Sequence, residues 1–359
     1  MSSSNELPPT DAASASSGPA RLSEVRPAVS PDRLLGDLTP PRHFARASFD
    51  SYRADDAYPS QAQAVARLRE VAHEISTPTS WFTRFRFAPK KPVAIYLDGG
   101  FGVGKTHLLA SLAHVVGVHD TAYGTFVEYT NLVGALGFAN TVTALGTKKL
   151  VCIDEFELDD PGDTVLMSRL LRELADRGIG LAATSNTLPD SLGEGRFAAE
   201  DFLREIQALS NRFEVLRVDG QDYRRRATTT NLPGLPDREV ARAVAAHGSR
   251  AAKLDDFDEL LSFLSHVHPS RYGALLDGVD LLGLTGVHPL TDQNEGLRFV
   301  VLVDRLYDRE VPVVLGGSGL DGLFSPEMLA GGYRKKYFRA LSRLGALAGA
   351  GKALSNTQN

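Results

Sequence analysis

At 359 residues the chain is long enough for two domains at about 150 residues each, and 43% hydrophobic with 23% charged residues suits a globular protein with a proper core. A net charge of -5 gives no global pull toward nucleic acid or an anionic membrane surface. No apolar run approaches the roughly 20 residues needed to cross a bilayer, and the N-terminus lacks a basic-then-apolar leader pattern, so a cytoplasmic location without a transmembrane segment is expected. The single cysteine, Cys152, leaves no internal disulfide or cysteine-based metal site and reads as a small core residue in an apolar strand.

Residues 1–39 are rich in Ser, Ala and Pro and poor in large apolar groups, a composition that predicts a disordered tail. Order is expected from Pro40. Pro59-Ser60-Gln61-Ala62-Gln63 predicts an N-cap with a Ser-x-x-Gln capping box, opening an amphipathic helix through Val65, Leu68, Val71, Ala72 and Ile75. Residues 93–97 form a short apolar run between Pro92 and Asp98, and Gly99-Gly100-Phe101-Gly102-Val103-Gly104-Lys105-Thr106 then fits G-x4-G-K-[ST]. His107 continues into a helix, with Leu108, Leu109, Leu112, Ala113 and Val116 at helical spacing and Gly117 placed to stop it. Strand, glycine loop and helix N-terminus in that order cradle phosphate: the glycines let N–H groups converge, and the helix dipole adds its positive end. Lys105 would reach the outer phosphates of ATP and Thr106 would offer a hydroxyl to Mg2+. A guanine nucleotide is not expected, since no N-K-x-D or T-K-x-D follows.

Residues 125–130 read as a β-rich run. Leu150-Val-Cys-Ile-Asp154-Glu155 reads as a buried strand that delivers two carboxylates to its C-terminal edge, with Asp154 for Mg2+ and Glu155 as general base. A helix is expected over 163–177 and a strand over 179–184, ending at Ser185-Asn186. Asn186 at that strand tip can orient the attacking water, the favoured reading over an asparagine in a turn before Pro189. Arg196, Arg204 and Arg212 follow, with Phe202, Ile206 and Leu209 marking a helix and 213–218 a strand; Arg212 is the first candidate for an arginine reaching a neighbouring subunit's nucleotide. Residues 219–253 are polar, include the Arg224–Arg226 cluster, and read as a domain boundary. Beyond them are expected a helix with Phe257, Leu260, Leu261 and Leu264, a strand at 281–284, a helix over 297–307, a strand at 311–315, and a final helix with Tyr337, Phe338, Leu341 and Leu344 that carries Arg339 and Arg343.

The ordered segments GGFGVGKTHLLAS, CIDEF, ATSN, NRFEVLRVDGQDYR, LRFVVLVDRLYD and RALSRL resemble the ZapE-type (AFG-like) AAA+ ATPases, bacterial relatives of a mitochondrial AAA+ protein, over residues 40–344. The resemblance implies an α/β P-loop NTPase fold, a parallel sheet flanked by helices, in residues 40–220, and a C-terminal α/β-helical domain in 221–359. It implies Lys105 and Thr106 on nucleotide and metal, Asp154 and Glu155 at hydrolysis, Asn186 as sensor 1 and Arg343 as the second sensor with Arg339 beside it. It also implies a homo-oligomer acting on a protein partner, which in bacterial members is the tubulin-like division protein. The segment between the two nucleotide motifs is short, and Gly-Ala-Leu-Ala-Gly follows SRL where a glutamate-rich ending is common in the family. Two further readings share the motifs up to Asn186. One is a DNA-remodelling ATPase of the helicase-loader type, against which the acidic balance argues. The other is a nucleotide-gated scaffold, against which Glu155 argues.

Overall fold

The computed structural model describes residues 20–27, 29–77, 92–100, 102–156, 161–186, 211–221, 232–249 and 251–357. Two parallel sheets organise these residues. The first contains β1 (Ala94–Asp98), β2 (Thr121–Thr125), β3 (Leu150–Asp154), β4 (Gly180–Ser185) and β5 (Glu214–Arg217), in the order β2-β3-β4-β1-β5. All of its paired strands run parallel. Covering it on both faces are α2 (Pro59–Ser76), α3 (Lys105–Val116), α4 (Phe126–Leu136), α5 (Phe138–Leu145) and α6 (Pro161–Asp176). Strand alternation sorts the core accordingly. Ile95, Leu97, Cys152 and Ala182 pack toward α2 and α3, while Tyr96, Val151, Ile153 and Ala183 pack toward α4, α5 and α6.

The second sheet has the order β6-β7-β8, with β6 (Ala252–Asp256), β7 (Leu281–Thr285) and β8 (Val313–Leu315) also parallel. Its helices are α7 (Asp237–His247), α8 (Phe257–His266), α9 (Gln293–Asp308) and α10 (Arg334–Thr357). The larger core lies on the side of α8, α9 and α10, built around Phe257, Phe299, Leu302, Phe324 and Tyr337. On the opposite side α7 lies so close to β7 that a Cβ at Gly283 would meet Val244 at 2.5 Å.

Four expectations are corrected. The first concerns the tail: residues 20–27 and 29–39 pack against both sheets. Leu22 is fully buried in the C-terminal core. The peptide carbonyl of Ala20 accepts from Leu254 N at 3.1 Å, on the free edge of β6. The carboxylate of Asp255, only 1% exposed, accepts from Leu22 N (2.7 Å), Ser23 N (3.0 Å) and Ser23 Oγ (2.7 Å). Further on, α1 (Pro31–Gly36) is capped by Ser30, and Leu38 O accepts from Tyr123 N at 3.0 Å on the free edge of β2. A low-complexity composition argues against a core of its own, but both sheets have an unpaired edge that this segment satisfies.

The second is the capping box at Ser60. The helix starts two residues earlier, on Pro59 with Tyr58 as N-cap and no side-chain cap, because Ser60 Oγ instead accepts from Asp219 N at 3.0 Å. Third, the β-rich run at 125–130 is a helix start. Thr125 closes β2 and caps α4, its hydroxyl accepting from Glu128 N while the Glu128 carboxylate accepts from Thr125 N. Fourth, the polar stretch 219–253 contains α7 and the start of β6. The other strands and helices expected within the described residues lie within a few residues of their expected places, while β2 and α5 were not anticipated. The Phe202–Leu209 helix, Arg196, Arg204 and Arg224–Arg226 lie outside the described residues.

Candidate functional site

Parallel register brings the ends of β1, β3 and β4 to one edge: Asp98 pairs with Ser185 and Thr125 with Asp154. The loops after those strands therefore converge, the usual position of a ligand site in an open parallel sheet. From β1 the chain enters the glycine loop, with Gly102 at φ 69° and Gly104 at φ 91°, a left-handed conformation that glycine adopts without strain. Gly104 is needed for a second reason, since a Cβ there would stand 2.6 Å from the Tyr52 ring. The Tyr52 hydroxyl donates to Val103 O at 2.8 Å and so ties the loop to the segment before α2; burial pushes this phenol up to about 12. Gly99 lets the backbone pass within 2.2 Å, measured from a would-be Cβ, of Val218 O. Gly100 opens the same loop, and Phe101 lies outside the described residues. The side chain of His107 turns away from the loop, its Nε2 3.0 Å from Ser48 O and its ring against Tyr52.

Lys105 is buried, and its Nζ donates to Gly99 O (2.7 Å), Gly100 O (2.6 Å) and Asn186 Oδ1 (2.8 Å). The lysine of the loop and the asparagine at the tip of β4 thus meet directly, 81 residues apart in sequence. Beside them, Thr106 Oγ1 donates to Asp154 Oδ1 at 3.3 Å, and Tyr123 OH donates to Asp154 Oδ2 at 3.0 Å. Burial, with the neighbouring Glu155 charge second, raises the Asp154 carboxyl above its ordinary value, and hydrogen bonds from Thr184 and Tyr123 oppose the rise. These hard oxygen donors, with a buried carboxylate whose charge a cation would compensate, fit a magnesium ion.

Thr184 was not singled out from the sequence, yet it holds the acidic pair in place. Its hydroxyl donates to Asp154 and accepts from Glu155 N at 3.0 Å, and its carbonyl accepts from Phe156 N at 2.7 Å. Glu155 itself sits at φ 55°, a conformation uncommon for a residue with a side chain and frequent at functional sites.

Glu155 is met by residues of α10, beside the second sheet. Arg339 Nη1 lies 2.7 Å from Glu155 Oε2 and Arg343 Nη2 lies 3.1 Å from Glu155 Oε1. The second Nη of each arginine reaches Asp304 on α9, at 2.9 Å from Arg339 and 2.6 Å from Arg343. Burial alone would push the Asp304 carboxyl up, but the two guanidiniums hold it at about 2. Burial likewise works against the charge of Arg343, and Asp304 and Glu155 outweigh it. Nearby, Arg305 of α9 pairs with Glu128 of the α4 capping box and with Asp308. A cleft of about 650 Å³ is lined by Thr106, Asp154 and Glu155 of the first sheet's side and by Asp304, Arg305, Arg339 and Arg343 of α9 and α10. Asp304 and Thr184 escaped the sequence reading; the available signal was a lone carboxylate among the buried Val300, Leu302, Val303 and Leu306 of α9.

Arg212 stands elsewhere. It precedes β5, which runs parallel to β1, so it lies at the sheet edge opposite the glycine loop, with Asp176 at 3.6 Å as its ion-pair partner.

A five-stranded parallel sheet of order 2-3-4-1-5, with a glycine loop after β1 and a carboxylate pair after β3, defines a P-loop ATPase of the AAA+ kind. The family model described as AFG1-like ATPase matches residues 28–243 and 233–352, and the chain belongs to that family. Among curated relatives, the cell division protein ZapE of Escherichia coli K12 is 29% identical over 339 residues, covering 79% of this chain and 90% of that protein. An uncharacterized protein of Schizosaccharomyces pombe is 30% identical over 190 residues, covering 46% of this chain and 40% of its own length. The crystal structure of DnaI aligns with 51% of this chain and 93% of its own at 17% identity and a TM-score of 0.38. No helix among the described residues is long and apolar enough to cross a membrane.

Proposed function

We propose that this ATPase hydrolyses ATP with Mg2+ at the edge of the inter-domain cleft and couples hydrolysis to movement of the C-terminal domain, acting in the cytoplasm on a protein partner in cell division. The observation that carries this reading is the contact of Arg339 and Arg343, from one domain, with Glu155, from the other. A group at the reacting centre that is also held by a second domain ties chemistry to domain position.

In this reading Lys105 exchanges its bonds to Gly99 O, Gly100 O and Asn186 for the outer phosphate oxygens, which releases the loop to wrap the phosphates. Gly99, Gly100, Gly102, Val103 and Gly104 present N–H groups to those oxygens. Thr106 and Asp154 hold Mg2+, which when bound neutralises charge on the β- and γ-phosphates. Glu155 takes the proton of the attacking water on a carboxylate oxygen, and Asn186 orients that water. Arg343 senses the γ-phosphate from the C-terminal domain, and Arg212 serves the site of an adjacent subunit. The division role is drawn from the likeness to ZapE, with the tubulin-like division protein as the partner to try first.

Glu155→Gln tests the reading. ATP affinity should persist while turnover falls by roughly 100-fold or more, the scale for loss of a general base. The trapped ATP state should then retain the partner in a pull-down. Turnover close to the parent's would place the base elsewhere.

A further inference from the structure

We propose that Asp304 is a positioning residue for hydrolysis, fixing Arg339 and Arg343 so that their outer nitrogens hold Glu155 when nucleotide is absent and turn to the γ-phosphate when ATP arrives. The inference rests on the reading of Glu155 as the base.

Its ground is a closed ring of four charged groups across the domain boundary, in which each arginine spans both carboxylates. All four side chains are less than a fifth exposed. Arg339 and Arg343 are four residues apart on α10 and so share one helix face. Asp304 comes from α9 of the same domain, and it engages one nitrogen of each guanidinium. That leaves the other nitrogen of each directed at the ATPase domain, where Glu155 now accepts both. Such a fork is suited to the task because a planar guanidinium gripped at one nitrogen presents its neighbour in a fixed direction.

Two cations and two carboxylates make the ring neutral. An incoming γ-phosphate brings more negative charge than one carboxylate and competes with Glu155 for the same nitrogens. Arg343 Nε, buried and without a hydrogen-bond partner among the described residues, adds a donor for an arriving anion. Glu155 is thereby freed to act on water only when a phosphate is present to take its place. Asp304 does not touch the nucleotide; it keeps the arginines from following either anion away. Were it neutral, two cations would face Glu155 alone and the base would be released less readily.

The test uses the full chain. In Asp304→Asn, kcat should fall by about 30-fold or more while affinity for a non-hydrolysable ATP analogue, by calorimetry, stays within about 3-fold of the parent or tightens. Asp304→Glu should recover part of the loss. Removing one member of a buried ionic group can prevent folding, so Arg339→Lys is the second variant: it keeps the charge but loses the fork, and the same kcat-selective loss is expected. Melting curves give the folded fraction used to normalise kcat. Near-parental kcat in folded Asp304→Asn and Arg339→Lys, or a loss of analogue affinity parallel to the loss of kcat, overturns the proposal. If Glu155→Gln is inactive while those two variants turn over normally, the base reading stands and this inference alone falls; an active Glu155→Gln removes both.

Discussion

Residues 20–27 should matter to stability far beyond what their composition suggests. Leu22 is fully buried in the C-terminal core, so Leu22→Ala should cost about 2–5 kcal/mol in lost transfer and cavity formation. For a domain of this size each kcal/mol lowers the melting temperature by about 4 °C, which gives a fall of roughly 8–20 °C. Deleting residues 1–26 should cost more. Besides Leu22 it removes the three hydrogen bonds into Asp255, a further 1–3 kcal/mol or so. The assay is thermal unfolding by circular dichroism on the parent, Leu22→Ala and the deletion. A melting temperature within about 2 °C of the parent's in both variants would show that the segment adds nothing to the fold.

Lys105→Ala should abolish nucleotide binding, because it removes the one cation the loop itself supplies to the outer phosphates; unchanged ATP affinity by calorimetry would dismantle the site. Arg212→Ala should bind ATP normally yet hydrolyse it at least about 100-fold more slowly, since Arg212 sits at the sheet edge away from its own loop and can act only across a subunit boundary. Mixing it with parent subunits should depress activity more than in proportion, and a linear mixing curve would return Arg212 to a surface role. Asp308 gives a pH signature. Burial, only partly offset by Arg305 and Arg343, pushes its carboxyl up from 3.8 to about 6, so the folded chain keeps a proton that the unfolded chain releases. Stability from this group is therefore lost as pH rises through that window, by about 1.5 kcal/mol between pH 5 and 7. Asp308→Asn should lack that slope, and denaturant melts at the two pH values that run parallel to the parent's would refute the assignment.

The nucleotide motifs were legible because each is local: five buried residues, a glycine loop and a helix start, all between Ala94 and Val116, need no distant partner to be recognised. Thr125 was misread for a local reason too. Phe126, Val127 and Tyr129 favour strands, and only the Thr125–Glu128 capping pair turns them into a helix. Residues 20–39 were misread because composition measures what a segment can bury by itself. Here two buried leucines, Leu22 and Leu38, and a few peptide groups are enough, since each completes a sheet edge formed by other residues. Thr184 and Asp304 could not be assigned from sequence because their roles exist only in contact, Thr184 with Asp154 and Asp304 with arginines 35 and 39 residues further on.

The two sheet edges closed by the N-terminal segment are completed at very different times during synthesis. Leu38 needs only Tyr123, so the β2 edge can be covered while the first domain is still emerging. Leu22 must wait for Asp255, 233 residues later, roughly 10–50 s at ordinary translation rates. Through that interval Leu22 and its flanking peptide groups are exposed on a chain whose first sheet can already fold, and the second sheet, once made, has an open β6 edge until the segment finds it. The contacts of this segment with β6 therefore form long after the segment itself is made. A ribosome-bound chain halted before β6 should accordingly be a better chaperone client than the finished molecule.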